Sequence, residues 1–277
     1  MAYQDKFHIN YLDRKNRIVD ISYHPHLSYP AHRDTVSRIS IVLSGELKEK
    51  VGSTEIYAKT ASLVIKPDSV MHKNDFGPKG ARLISLIVED GFIESLFPKD
   101  YSPWRWYQGL PYSSSICNFL YELKNQPDKQ ELEESMVEMI SVLLEPKLEP
   151  VKLRPDWLDR VRDKIEDEYM HSETGLQLLA EEAGVHPIYL ARVFRKYHHC
   201  SVKDYVQNLR LQNALHHLAS SKEIIAQIAF QEGFSDQSHL SRYFKSAFGL
   251  SPARFRKFMQ NFDLEVSFVQ ESHKFRG

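Results

Sequence analysis

The sequence predicts a multidomain α+β protein: an N-terminal β-barrel with an αα-hairpin, followed by an all-α domain that contains two helix-turn-helix units. Three observations predict this fold. Short runs rich in Ile, Val and Leu alternate with turn residues in the first third of the chain. Apolar residues take helical spacing from residue 112 onwards, and a near-repeat occurs twice in the last third. A chain of 277 residues is long enough for two or more domains.

Short apolar runs predict six strands in the N-terminal part. These are Arg17–Tyr23, Arg38–Leu43, Leu47–Val51, Thr54–Lys59, Ser62–Lys66 and Arg82–Val88. Glycine, proline and small polar residues predict turns between them at Ser44-Gly45, Gly52-Ser53, Pro67-Asp68 and Gly77-Pro78-Lys79-Gly80. Many short strands joined by regular turns are typical of a small barrel or jelly roll.

Two apolar stripes with helical spacing follow the strands. One contains Ile116, Phe119, Leu120 and Leu123, and the other contains Leu132, Met136, Met139, Ile140 and Leu143. A break at Gln126-Pro127-Asp128 separates them, so the pattern predicts an αα-hairpin. Two interpretations stay open: the hairpin packs on the barrel alone, or its second helix also forms a dimer seam.

Proline content and helical pattern set the domain boundaries. We expect a barrel domain over residues 1–111, the hairpin over 112–145 and a helical domain over 156–260. The stretch 146–155 has prolines at 146, 150 and 155, which a helix interior does not tolerate, so it is predicted as a linker. Residues 261–277 carry little pattern and are expected to be a C-terminal extension.

The near-repeat pairs Leu179–Lys196 with Ile228–Lys245. In each copy a small Ala packs close to the next helix, and a Gly suited to positive φ ends the first helix. Leu and Phe four residues apart then face the core from the second helix, whose other positions are polar or basic. Two copies in the same phase favour two helix-turn-helix units over plain helical hairpins.

Charge is balanced overall but not locally. The formal net charge is −1, whereas residues 183–260 contain 11 Lys or Arg against four Asp or Glu. The excess lies on and around the second helix of each copy. Local positive charge of this kind is typical of phosphate contact, which positions a protein on DNA without specifying sequence.

Cysteine content and hydropathy favour a cytoplasmic location. Cys117 and Cys200 are far apart and have no metal-type spacing, which fits a reducing compartment. The N-terminus has no apolar signal region, and no apolar run is long enough to cross a bilayer. We therefore expect no membrane partner.

At the repeat the sequence resembles the AraC/XylS family of bacterial transcription regulators, over about residues 156–258. The family's signature for the second unit is present as Ile228–Lys245, and its trailing Gly-x-Ser-Pro is Gly249-Leu250-Ser251-Pro252. Phe255-Arg256 follow as the usual aromatic and arginine, and Tyr205, Arg210 and Ala214 match the helix that links the units. The chain departs from the pattern at His199, where the counterpart of Gly249 would stand.

The resemblance implies a sequence-specific DNA-binding regulator with seven helices and a linking helix at about Val202–Ala219. Double-stranded DNA, RNA polymerase and a second copy of the chain are the implied macromolecular partners. Base readout is implied for Ile188, Ala191, Arg192 and Arg195 in the first unit, and for Gln237, Ser238, Ser241 and Arg242 in the second. Phosphate contacts are implied for His186, Tyr189, Lys196 and Lys245.

The N-terminal part has the strand pattern given above, together with Tyr29-Pro30-Ala31-His32-Arg33-Asp34, Leu43-Ser44-Gly45-Glu46 and Pro67-x4-His72. In these features it resembles the family's cupin-like sensor domain. This resemblance implies a small-molecule effector, such as a sugar or another metabolite, in a pocket lined by Tyr29, His32, Arg38 and His72. It implies no catalytic residues and no cofactor. The alternative is a metal-dependent cupin enzyme fused to a helical domain, with His24, His26, His32, His72 and Asp34 as candidate ligands. Structural or effector-contact roles for these histidines are favoured, because no His-x-His with a nearby Glu lies within a predicted strand.

Overall fold

The computed structural model describes residues 6–11, 17–68, 70–88, 104–110, 112–125, 129–144, 155–169 and 175–262. The predicted linker and C-terminal extension lie almost entirely outside this range, and so does the break Gln126-Pro127-Asp128.

Eight strands of the described chain form one antiparallel sheet. They are β1 Lys6–Tyr11, β2 Arg17–Tyr23, β3 Ser28–Arg33, β4 Arg38–Val51, β5 Thr54–Ala58, β6 Leu63–Lys66, β7 Met71–Ile87 and β8 Arg105–Tyr107. Their order is β1-β2-β7-β4-β6-β8, and β3 and β5 pair with β7 and β4 respectively.

The two long strands β4 and β7 cross from one half of the sheet to the other. The half of β4 that contains Ile39 pairs with β6, and its other half pairs with β5. The half of β7 that contains Ile84 pairs with β2, and its other half pairs with β3. Between these halves the β4–β7 register shifts twice. Gly45 and Gly80 have φ values of +80° and +70° there, and a Cβ on Gly45 would lie 2.0 Å from the Gly80 carbonyl oxygen. These glycines let paired strands bend sharply without separating.

Several strand predictions were wrong in the same way. Ser44-Gly45 and Gly77–Gly80 are not turns but bends inside β4 and β7, so two predicted strands on either side of residue 45 are one. The segment Ser28-Tyr29-Pro30 is part of β3. Proline is tolerated there because β3 pairs only with β7 among the described strands and is therefore an edge. Strands β1, β3 and β8 were not predicted.

The predicted αα-hairpin is present as α1 (Tyr112–Lys124) and α2 (Lys129–Leu144). Both apolar stripes are buried, with only Met136 partly exposed, and they share one core with the sheet residues Ile39 and Ile84. The stripe of α2 is therefore used for packing within the chain. A dimer seam on α2 would have to use a different face, where Val137 is 59% exposed.

Seven helices lie in the described residues after 155, as the family resemblance implied. They are α3 Asp156–Glu168, α4 Leu176–Ala183, α5 Pro187–His198, α6 Val202–Ser220, α7 Ile225–Gln231, α8 Gln237–Phe248 and α9 Pro252–Gln260. Within the part of the chain that the structure describes, none of the helices is both long and apolar enough to cross a membrane.

The two helix-turn-helix units differ in what they pack against. The first unit, α4 and α5, has its own core with α3, centred on Leu158, Leu179 and Phe194. The second unit, α7 and α8, belongs to the same core as the sheet and the hairpin, through residues such as Phe244 and Phe248. The second unit is thus continuous with the N-terminal domain.

Candidate DNA interface and histidine cluster

The first candidate recognition helix, α5, is fixed by local signals at its N-terminus. Pro187 occupies the first turn, and the Nδ1 atom of His186 accepts a hydrogen bond of 3.3 Å from the Ile188 amide. This bond satisfies one of the free amides at a helix start. Leu190 and Phe194 are fully buried, which fixes the opposite face of α5 toward solvent.

The outward face of α5 carries most of the residues predicted to contact DNA. Ile188 is 73% exposed, and Tyr189, Arg192, Arg195 and Lys196 are also exposed. Ala191 is half-buried beside them. The Arg192 guanidinium carbon lies 5.6 Å from the centre of the Tyr189 ring, which holds the arginine against the helix surface.

The second candidate recognition helix, α8, is built in the same way. Asp236 caps it, with Oδ1 accepting a 2.7 Å bond from the His239 amide, and Leu240 and Phe244 are buried. All five predicted contact residues lie on its outer surface. Gln237, Ser238, Arg242 and Lys245 are exposed and Ser241 is half-buried.

A basic groove of about 810 Å³ separates the two recognition helices. One wall is the Ala191–Arg195 side of α5, the other is formed by His239 and Tyr243 of α8, and α6 forms the floor. Among the residues that the structure describes, its cationic lining residues are Arg192, Arg195, Lys203 and Arg210, and none of the described lining residues is acidic. The α6 helix, with 19 residues, is about 28 Å long, close to the ~34 Å of one DNA turn. The geometry suits a phosphate backbone between two adjacent major grooves.

A buried carboxylate connects the second unit to α6 and to the residue that follows α3. Glu232, between α7 and α8, is 2% exposed. The Tyr169 hydroxyl donates a 3.0 Å bond to its Oε2, and Nδ1 of His217 lies 3.0 Å from its Oε1. The Glu232 carboxylate raises the pKa of His217. Sequence reasoning missed Glu232 because its partners come from α3 and α6, far away in the chain.

The end of α5 supplies a stability prediction. His199 takes a left-handed conformation with φ of +56°, the conformation that Gly249 takes at the end of α8. A non-glycine residue in this conformation lowers folding stability by about 1–2 kcal/mol. Glycine avoids that strain, but its greater freedom in the unfolded chain offsets about 0.5–1 kcal/mol of the gain. We expect His199→Gly to stabilise the chain by about 0.5–1 kcal/mol in urea unfolding. The control Gly249→Ala should lower stability by about 1 kcal/mol. Equal or lower stability of His199→Gly would contradict this account.

In the N-terminal domain the four predicted effector residues lie in one group. The rings of Tyr29 and His32 are 5.9 Å apart, and those of His32 and His72 are 4.4 Å apart. Arg38 joins them through Asp34, whose Oδ1 lies 2.7 Å from the Arg38 guanidinium. Burial, and then the charge of Lys66, lower the pKa of His72.

Three of these side chains offer metal-ligand atoms at one point. Atoms of His32, Asp34 and His72 all lie within 4.8 Å of one another, in the part of the chain that the structure describes. His24 and His26 do not belong to this group. Sequence analysis named Asp34 only among the alternative ligands. Its spacing, two residues after His32 at the end of a strand, was the available signal.

Comparison with known proteins supports the prediction of helix-turn-helix units in the C-terminal part of the chain. A family model described as "Helix-turn-helix domain" matches residues 179–257. The chain is 36% identical over 96 residues to the Msm operon regulatory protein of Streptococcus mutans, covering 33% of this chain and 34% of that protein. It is 30% identical over 90 residues to Regulatory protein SoxS of Escherichia coli, covering 32% of this chain and 84% of SoxS. The match therefore spans about a third of the first relative and most of the second.

Among solved structures, the C-terminal domain of AraT, a response regulator from Geobacillus stearothermophilus, is 26% identical with a TM-score of 0.37. That match covers 46% of this chain and 100% of the AraT domain.

Proposed function

This chain belongs to the AraC/XylS family of bacterial transcription regulators, and on that premise we propose that it is a sequence-specific regulator reading two successive major grooves. The observation that carries the proposal is the groove between α5 and α8. Its described lining residues include basic ones and no acidic one, and an exposed helix face carrying polar residues lies on each side. Acting on DNA rather than on a substrate, the chain needs no catalytic group in this proposal.

The contact residues divide by chemistry. On α8, Gln237 suits adenine and Arg242 suits guanine, while Ser238 and Ser241 can bond to several base edges. On α5, Arg192 and Arg195 suit guanine, and the methyl and methylene groups of Ile188 and Ala191 suit thymine methyls. His186, Tyr189, Lys196 and Lys245 are proposed to contact phosphates, together with the groove residue Lys203.

We propose that the N-terminal domain senses a small molecule at Tyr29, His32, Arg38 and His72. The shared core gives this domain a physical route to the second unit. At that junction the Ser114 hydroxyl donates a 2.7 Å bond to the Ala247 carbonyl oxygen near the end of α8. The Ser113 hydroxyl also lies 2.8 Å from Oε1 of Gln212 on α6. RNA polymerase and a second copy of the chain are further proposed partners, and the cytoplasm is the proposed location.

Selection of binding sites from random duplexes with the full chain tests the function. We expect enrichment of a site with two half-sites about one helical turn apart. Affinity should fall linearly with the logarithm of salt concentration, because each neutralised phosphate releases counterions.

Lys203→Glu in the groove should weaken binding to the selected site and flatten its salt dependence by about one unit or more. The matched control is Lys222→Glu, the same charge change just past the end of α6 and outside the groove lining. We expect it to have little effect. Failure to enrich any site, or equal losses in the two variants, would contradict the proposed interface.

A further inference from the structure

We infer that His32, Asp34 and His72 form a site for a divalent transition-metal ion, with Zn²⁺ the best match to the donor set. The inference names the chemistry of the proposed effector site, and it rests on the proposed sensory function only for its biological use. Metal binding itself does not depend on what the helical domain does.

The tautomers of both histidines are fixed by backbone carbonyls. Nδ1 of His32 lies 2.8 Å from the Pro30 carbonyl oxygen, and Nδ1 of His72 lies 2.9 Å from the Val70 carbonyl oxygen. A carbonyl oxygen can only accept, so each Nδ1 carries the proton and donates. Each Nε2 therefore has a free lone pair. Metal-binding histidines almost always donate their other ring N–H to a carbonyl, carboxylate or water in this way.

The candidate ligand atoms of the three residues lie close together. Nε2 of His72 lies 3.7 Å from Oδ2 of Asp34, and the ligand atoms of all three residues are within 4.8 Å of one another. Atoms bound to one tetrahedral Zn²⁺ at about 2.0–2.1 Å lie about 3.3 Å apart. Side-chain movements of about 1.5 Å or less would bring the atoms to the separations of one coordinated ion.

The scaffold holds these atoms in place. His32 and His72 are directly paired on the neighbouring strands β3 and β7, so the register of the sheet fixes their separation. Arg38 binds Oδ1 of Asp34 and leaves Oδ2 facing His72, which makes Arg38 a positioning residue.

Charge and access also fit a cation. Two cationic side chains nearby are already paired, Arg38 with Asp34 and Lys66 with the buried Glu49. His72 is 3% exposed, whereas His32 and Asp34 are half-buried, so the site is closed on one side and reachable from the other. Two nitrogens and one carboxylate oxygen with an open position match the ligand sets of Zn²⁺ and related divalent ions. The open position would accept water or an oxygen or nitrogen atom of an effector.

The test uses the full chain prepared without a polyhistidine tag and stripped with a chelator. Zn²⁺ is then titrated in competition with a chromophoric chelator. We expect one equivalent to bind, and Co²⁺ bound in its place should give visible absorption of a four- or five-coordinate site without a thiolate band. His32→Gln and Asp34→Asn should each weaken Zn²⁺ binding by at least about a hundredfold, since loss of a residue that only hydrogen-bonds to a metal ligand already costs about 10–100-fold.

Controls separate metal binding from folding and from DNA binding. His24→Gln makes the same change in the same domain outside the cluster, and it should leave Zn²⁺ affinity unchanged. Asp34→Asn keeps the size of the side chain and an oxygen that can accept a hydrogen bond from Arg38, so its metal-free form should still unfold in a single cooperative melting transition. No Zn²⁺ uptake by the wild type, or an equal loss in His24→Gln, would overturn the inference. Binding of metal-free protein to the selected DNA is measured separately, so failure of either proposal is visible without the other.

Discussion

Arg192→Ala is expected to abolish the preference for one or two guanines in one half of the DNA site while the other half is still read. Arg192 stands on the exposed face of α5 at the wall of the basic groove. A paired set of hydrogen bonds from Arg to guanine gives about 1–3 kcal/mol of discrimination, so about a tenfold to hundredfold loss at that base follows. The measurement is a selection profile for the variant beside that of the wild type.

Two further variants separate base readout from charge. Arg192→Lys keeps the charge but loses the planar pair of donors, so it should also lose much of the guanine preference. Lys245→Ala, on the exposed surface of α8, should instead weaken all sequences alike and flatten the salt dependence by about one unit. An even loss of affinity in Arg192→Ala with unchanged base preference would make Arg192 a phosphate contact or a support for Tyr189.

The helix-turn-helix units were predictable because their signals are local. Residues four apart, such as Leu240 and Phe244, must share a face of any helix, and both are fully buried. The starts of the two recognition helices are also local, since Pro187 is the first residue of α5 and Asp236 caps α8. Ser251, which follows the second unit in the repeat, likewise caps α9. Each of these features depends on a few consecutive residues.

The sheet was predicted less well because a glycine has two uses there. The segments at residues 44–45 and 77–80 have the composition of turns, yet they form bends inside the continuous strands β4 and β7. Which use applies depends on whether the partner strand bends at the same place. Gly45 and Gly80 lie against each other, 35 positions apart in the chain, so no local pattern could decide between the two.

Contacts between distant segments were out of reach for the same reason. The group around Asp34 depends on the pairing of His32 with His72, which only the β3–β7 register fixes. The shared core of the second unit and the N-terminal domain depends on the position of α6 against the sheet, which sequence periodicity does not encode. His216, on α6 at this junction, was not singled out by the sequence analysis.

His216 is expected to make the stability of the chain fall as the pH is lowered from neutral. It is 8% exposed, and its Nδ1 lies 3.3 Å from the Thr60 hydroxyl of the sheet domain. Burial first, and then the charges of Lys59, His217 and Lys79, lower the pKa of His216 to about 4. Among the described residues, the only carboxylate within 4 Å of the His216 ring is that of Glu46, 3.7 Å from Nε2. The Glu46 side chain is half-exposed, so solvent and salt screen its attraction for a charged imidazole.

Stability falls at low pH because the unfolded chain binds a proton at His216 more tightly than the folded chain does. The unfolded chain binds it with an ordinary histidine pKa of about 6.5, whereas the folded chain binds it only near pH 4. The stabilising effect of neutral His216 is thus complete above about pH 6.5 and is lost between about pH 6.5 and 4, to a total of roughly 3 kcal/mol. His217, whose pKa is raised by Glu232, acts in the opposite direction. Its contribution is present below the ordinary value and is lost as the pH rises through the raised one.

Urea unfolding of the full chain between pH 7.5 and 4.5 measures this effect. His216→Gln keeps a polar group near Thr60 but cannot titrate, so the difference in unfolding free energy between it and the wild type should change steadily as the pH falls through this range. His217→Gln, one position along the same helix, is the matched control and should not remove the acid-side loss. Because His216 lies between the DNA-binding helices and the sheet, the same protonation should loosen the contact between them, which protection of Thr60 and Ala61 amides from hydrogen exchange would report. A wild type and His216→Gln that lose equal free energy between pH 7.5 and 4.5 would show that other groups cause the acid sensitivity.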